Sequence, residues 1–181
     1  MSRSARWVFA IVAVQAALLG VYGLVERERS RHALEAPGTD LPQRVDRPIP
    51  SLDIQRRDGS RSVLQSTGRR TLVHVWATWC PPCRAELPGL LELPSRQDVA
   101  VVAIALDQSW EDVEAFLGDM SAANVALAAS EDVERSLRIR TLPVTFLVEA
   151  DGQIVLRFDG ARDWADLGFV QTHVVKHYSG R

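Results

Sequence analysis

The chain has 181 residues, with 21 Lys and Arg against 23 Asp and Glu and a formal net charge of −2. That balance leaves no basic footprint for a nucleic acid. The length suits one globular domain with a proper core, and two cysteines are too few for a disulfide scaffold or an iron–sulfur cluster.

In chain order, residues 1–6 form a short basic segment with Arg3 and Arg6. Residues 7–25 are an apolar run broken only by Gln15 and softened by Gly20 and Gly23. As a helix it is about 28 Å long, enough to cross a bilayer core. A cleaved signal peptide is the competing reading. The run is long for such a segment and ends without a small-x-small site, so an uncleaved signal anchor is expected. Arg27, Arg29 and Arg31 beyond the run outnumber Arg3 and Arg6, which by itself slightly opposes export of the downstream chain. Residues 26–47 are charged and proline-bearing without an apolar period, and read as a linker. A folded domain is then expected over residues 48–178, with 179–181 as a tail.

Within that domain, residues 48–66 read as a hairpin turning at Asp58-Gly59. Residues 71–77 are a short apolar, β-rich run. Residues 99–106 are continuously aliphatic, as in a strand buried on both faces. Residues 109–120 read as an amphipathic helix, with Trp110, Val113, Phe116 and Leu117 on one stripe and Ser109 as its cap. Residues 149–152 carry a second hairpin turn, 154–158 a returning strand, and 163–178 a closing helix. Alternating strands and helices imply an α/β domain with a parallel or mixed sheet and helices on both faces.

The two cysteines stand in Trp79-Cys80-Pro81-Pro82-Cys83, directly after the apolar run that ends at Ala77. Two residues between sulfurs place both within one helical turn, which closes too small a loop to staple a fold. A structural zinc site needs four ligands, and His32, His74, His173 and His177 supply no second pair at finger-like spacing. Covalent haem attachment requires a histidine where Arg84 stands. Two thiolates suit Cu(I), so a copper-carrying role stays open. A redox dithiol is the favoured reading. A thiolate at a helix start is stabilised by unpaired backbone N–H groups, which suits Cys80 as an exposed nucleophile and Cys83 as the resolving thiol. Pro81 and Pro82 are tolerated in the first turn but remove two N–H donors, which inclines the pair toward a reductant. Pro88 is expected to kink this helix by deleting the bond to the Arg84 carbonyl.

The string from Val73 to Pro88, V-H-V-W-A-T-W-C-P-P-C-R-A-E-L-P, resembles the active-site line of the thioredoxin superfamily. More narrowly, it is similar to the membrane-anchored TlpA/ResA-type thiol–disulfide oxidoreductases. Thr141-Leu142-Pro143-Val144-Thr145-Phe146-Leu147-Val148 resembles the same family's cis-proline loop and following core strand. The resemblance covers residues 49–178 and implies a thioredoxin-like fold carrying the extra N-terminal hairpin. It implies a cis bond before Pro143, packed on the cysteine pair, with Leu142 touching an extended substrate peptide by strand addition. Leu142 reads equally as loop packing. Trp79 would line the site, its other reading being a core aromatic.

Glu86 stands where the resembling reductases carry an acidic residue. It is either a buried proton shuttle for Cys83 or a solvated helix glutamate. His74 departs from the family, which has Asp or Asn on that strand. Its imidazole reads either as an acceptor for the Cys83 proton or as a satisfied core histidine. The resemblance also implies an extracytoplasmic domain on a bacterial-type inner membrane. Its partners would be a disulfide-bearing client protein and a membrane thiol-transporting reductant, with no cofactor and no metal. Clients in the family include apocytochromes and copper-site proteins of oxidases. An oxidant or isomerase on the same fold is the alternative.

Overall fold

The structure is a computed structural model that describes residues 41–65 and 68–176, together with Gln15. The expected membrane anchor at 7–25, most of the linker, the end of the closing segment and the tail lie outside the described residues. Among the described residues no helix is long and apolar enough to cross a membrane.

The described elements run in the order β1 (Gln43–Pro48), β2 (Leu52–Gln55), β3 (Arg61–Leu64), β4 (Thr71–Trp76), α1 (Pro81–Arg96), β5 (Ala100–Ala105), α2 (Trp110–Leu117), β6 (Val125–Leu127), α3 (Ser130–Leu137), β7 (Val144–Val148), β8 (Gln153–Asp159) and α4 (Leu167–Val170). A π-helical turn at Gln171–Val175 continues α4. The strands form a single mixed sheet in the order β1-β8-β7-β4-β5-β6-β2-β3. Strand β4 runs parallel to β5 and antiparallel to β7, and every one of its residues is buried. Those residues are mostly β-branched or aromatic, which suits a strand covered on both faces.

The pleat divides this strand's side chains between two apolar layers. Leu72 and Trp76 join Val101, Ala103, Ala105 and Leu147 beneath α1, α2 and the C-terminal helical segment. Val73 and Val75 join Ile104, Val144, Phe146 and Val148 on the opposite face, against Val133 and Leu137 of α3 and Leu52, Ile54 and Leu64 of the β2–β3 hairpin. Helices on both faces of a mixed sheet are the expected thioredoxin-like arrangement.

Most local expectations hold. The β2–β3 hairpin is antiparallel, with Gly59 at φ 81° in its turn, where a side chain is strained. The Ser109 hydroxyl accepts from Asp112 N at the start of α2. The β7–β8 turn falls at residues 149–152, with Gly152 at φ 87°. At Pro88, where a kink is expected, helix α1 continues as one element through Pro88 and Pro94 to Arg96.

Three boundaries differ. Residues 43–47, read as linker, belong to β1, which pairs antiparallel with β8. Only Val45 and Arg47 of that strand are half-buried before Pro48, so the edge strand carries almost no apolar signal. Arg47 donates instead to the carbonyls of Ser136 and Leu137 at the end of α3, a contact invisible to local pattern. The closing helix starts later than expected, because Asp166 caps Gly168 and Phe169 and the chain before it is an irregular segment that buries Trp164. Helix α2 ends at Leu117, since Gly118 at φ 52° turns the chain away.

Candidate active site

The β4 and β7 register places the site. Val75 lies opposite Val144, so the chain leaving β4 toward Cys80 and the chain entering β7 from Pro143 occupy the same end of the sheet. The ends of β5 and β8 reach it too, through Asp107 and the segment 159–162.

Cys80 is the N-cap residue of α1, with extended backbone at φ −99° and ψ 103°. Its carbonyl accepts the first helical bond from Arg84 N, and its Sγ accepts from Cys83 N at 3.3 Å. Pro81 and Pro82 occupy the first two helical positions, so the Cys83 amide is the first helical N–H able to reach the sulfur. The two cysteines form a disulfide with Cα atoms 5.3 Å apart. Cys80 retains 5 % exposure and Cys83 none. The exposed nucleophile expected from the sequence is thus nearly covered in this oxidised state. Cys80 is still the sulfur nearer to solvent.

Trp79 is 65 % exposed beside the disulfide, which sets aside its reading as a core aromatic. The Leu142–Pro143 bond is cis. Leu142 is half-buried and packs against both apolar layers. The Pro143 carbonyl accepts from Gly160 N, tying the loop to the end of β8.

Two residues below the disulfide are buried and polar. Glu86, three positions after Cys83, shares its face of α1 and is buried. Its Oε2 accepts from Arg162 N at 2.6 Å and from the Trp164 indole at 3.1 Å. Gly89, one turn further along α1, lets residues 164 and 165 lie close, since a Cβ there would stand 3.3 Å from Ala165 N. Burial nonetheless outweighs those donors and pushes the Glu86 carboxyl up to about 8.

His74 is fully buried on β4, and its Nδ1 lies 2.9 Å from Thr145 Oγ1 on β7. Its Nε2 stands 3.5 Å from Glu86 Oε1. Opposite charges at that separation attract, but burial disfavours charge on both partners and lowers the imidazole to about 3. The pair is therefore a neutral imidazole facing a neutral carboxylic acid. The solvated-glutamate reading of Glu86 is excluded by its burial.

Several contributing residues escaped the sequence reading. Asp107 accepts from Thr78 N at 3.1 and 3.2 Å and from the Thr78 hydroxyl, pinning the turn that leads to Trp79 and Cys80. The signal for it was its position as the first charged residue after a buried strand. Thr145 interrupts an otherwise apolar strand, a comparable signal. Arg162 and Trp164 reach Glu86 from residues 76 and 78 positions away, and nothing local announces them. Among the described residues, no group of three or more His, Cys, Asp or Glu side chains gathers as a metal site.

The Redoxin family profile matches residues 44–168, more than half of the chain. The chain belongs to the Redoxin family. One relative of this Redoxin chain is the thiol–disulfide oxidoreductase ResA of Oceanobacillus iheyensis, 29 % identical over 120 residues, covering 60 % of this chain and 62 % of that one. Another is the thiol:disulfide interchange protein HelX of Rhodobacter capsulatus, 30 % identical over 129 residues, covering 70 % and 66 %. The chain thus spans just under two thirds of the length of each. A solved thioredoxin-family thiol:disulfide interchange protein from Chlorobium tepidum superposes with a TM-score of 0.57 at 24 % identity, covering 72 % of this chain and 98 % of that one. That likeness carries the thioredoxin-like fold.

Proposed function

We propose that this Redoxin protein is a thiol–disulfide oxidoreductase that reduces disulfides in client proteins through Cys80 and Cys83. The observation that carries the reading is a disulfide between two cysteines at the start of α1, with Cys80 nearer to solvent and a buried Glu86 one turn behind Cys83.

In the reduced protein the Cys80 thiolate attacks one sulfur of a client disulfide. A mixed disulfide forms and the client's other sulfur leaves as a thiolate, which takes a proton. Cys83 then gives its proton to the Glu86 carboxyl, left ionised by the preceding re-reduction, and attacks Cys80 Sγ. The Cys80–Cys83 bond closes, the client's second sulfur leaves, and the client has gained two electrons. Re-reduction runs the same proton in reverse. When an incoming thiolate opens the bond at Cys80, Cys83 departs as a thiolate and takes the proton from Glu86. The carboxyl so stores one proton across the cycle without drawing on solvent.

The client enters as an extended segment beside cis-Pro143, with Leu142 and the exposed Trp79 in contact with it. We further propose that residues 7–25 anchor the domain to a membrane, that it works on the extracytoplasmic side, and that a membrane thiol-transporting protein re-reduces it. Clients of the cytochrome c maturation or copper-site assembly kind fit that placement.

Trapping tests the reading. Reduced Cys83→Ser protein, mixed with a disulfide-bonded protein substrate, is expected to accumulate a covalent adduct through Cys80, while Cys80→Ser protein forms none. Equal trapping by both variants, or by neither, overturns it.

A further inference from the structure

We propose that His74 is a positioning residue for Glu86, holding the carboxyl through either of its charge states by exchanging imidazole tautomer against Thr145. The proposal rests on the oxidoreductase reading above and adds the partner that lets Glu86 store a proton in a buried place.

The geometry leaves one oxygen of the carboxyl to this role. Oε2 is occupied by Arg162 N and the Trp164 indole. Oε1 and His74 Nε2 are both buried, neither makes another hydrogen bond among the described residues, and they face each other at 3.5 Å. The far nitrogen, Nδ1, sits 2.9 Å from the Thr145 hydroxyl. A hydroxyl both donates and accepts, so this bond survives with the proton on either atom.

The trio has two arrangements. With Glu86 protonated, Oε1–H donates to Nε2, and Nδ1–H donates to Thr145. With Glu86 ionised, Nε2–H donates to Oε1, and the Thr145 hydroxyl donates to Nδ1. The imidazole keeps one proton throughout; only its seat changes, and the hydroxyl reverses. Each arrangement needs Nε2 and Oε1 to close by only a few tenths of an ångström to reach hydrogen-bond distance. An apolar residue at position 74 serves neither state, since a buried carboxylate without a donor is costly.

The other groups facing the carboxyl are Cys83 on its own helix and Arg162 after β8. The Arg162 guanidinium also donates to the Asp159 and Ala161 carbonyls. Its charge favours the ionised acid, so the imidazole does not act alone. The cis-proline loop contributes no titrating group on this side; β7 contributes Thr145. Register explains the meeting: His74 lies directly opposite Thr145 on β7 and Ala103 on β5. The small Ala103 side chain leaves the larger imidazole room to stand upright beneath α1.

Nitrogen NMR of ¹⁵N-histidine in the oxidised full-length protein tests this, with the Glu86 carboxyl carbon followed in the same samples. Across the Glu86 titration, Nε2 is expected to pass from a bare acceptor nitrogen to a proton-bearing one, with the same midpoint. His74→Leu is expected to weaken the ionised form so that Glu86 holds its proton about tenfold more tightly, one pH unit higher. His74→Asn, whose amide also donates and accepts, is expected to restore part of that shift. A His74 whose nitrogens ignore the Glu86 titration overturns the proposal even if His74→Leu does not fold. Trapping of clients by Cys83→Ser, measured alongside, separates the two claims. A silent His74 with intact trapping removes only this inference, whereas a responsive His74 without trapping removes only the proposed function.

Discussion

The two faces of β4 are built for different purposes. On one, Val73 and Val75 sit among Ile104, Phe146, Val144 and Val148, and the buried Thr71 at the strand's start gives its hydroxyl proton to the Arg69 carbonyl. On the other, Leu72 and Trp76 flank a histidine that meets a threonine across the strand and a glutamate from the helix above. One strand thus alternates between a layer that only stabilises and a layer that holds buried proton chemistry directly under a disulfide. Buried polar groups cost free energy unless they are paired. The gathering of His74, Thr145 and Glu86 on the α1 face is consistent with the apolar face carrying the stability that the polar one gives up.

Mutations can break that division or sharpen it. The largest effect is expected on the apolar face. Phe146→Ala should lower the stability of the oxidised domain by about 3–5 kcal/mol in urea denaturation. The rate of client reduction per folded molecule should stay unchanged. A parallel loss of that rate would show that the faces are coupled.

The next effect concerns pH. Glu86 titrates near 8 in the fold against an ordinary 4.5. Between those values only the folded chain holds the proton, so the Glu86 contribution to stability should fall as pH rises through that window. His74 titrates near 3 against an ordinary 6.5. The unfolded chain therefore takes up its proton first as pH falls, which offsets the Glu86 contribution between 6.5 and 4.5. Net stability should fall above about 6.5 and again below about 4.5. Denaturation midpoints of the oxidised protein should show both limbs. Glu86→Gln should remove the alkaline limb and leave the acid one. An alkaline limb that survives this substitution would place the proton elsewhere.

The smallest effect on stability belongs to Trp79, which stands outside both layers at 65 % exposure. Trp79→Ala should change stability by less than about 0.5 kcal/mol. It should lower kcat/KM for a protein disulfide about tenfold, a loss of about 1.4 kcal/mol in docking, while a small-molecule disulfide reacts as before. Equal losses on both substrates would make Trp79 a support for Cys80 instead of a client contact.

Much of this was legible because it is local. The apolar run before the cysteines, the Ser109 cap, and the turns at Gly59 and Gly152 each depend on residues a few positions apart. The dithiol was legible from the spacing of the two cysteines, and the cis bond at Pro143 through the resemblance of its motif. What stayed hidden depends on distance in the chain. Strand β1 exists because β8 offers it a ladder and α3 offers carbonyls to Arg47. Glu86 was nameable from its spacing, yet its donors come from the far end of the domain. Asp107 holds the Thr78 turn from a neighbouring strand, 29 positions on. The closing helix was overextended because its apolar residues begin with Trp164, which packs on Phe158 and Phe169 from an irregular segment.

The direction of electron flow is the central claim, and the reduction potential of the Cys80–Cys83 pair tests it most directly. Among the described residues only the Cys83 amide donates to the Cys80 sulfur, past two prolines, so the thiolate is modestly stabilised and the reduced form is not strongly favoured. Equilibrated against a thiol buffer at pH 7, the pair is expected near the thioredoxin value of about −270 mV or below it. A value near about −120 mV, that of a strong oxidant, would contradict the account and make this protein a disulfide donor.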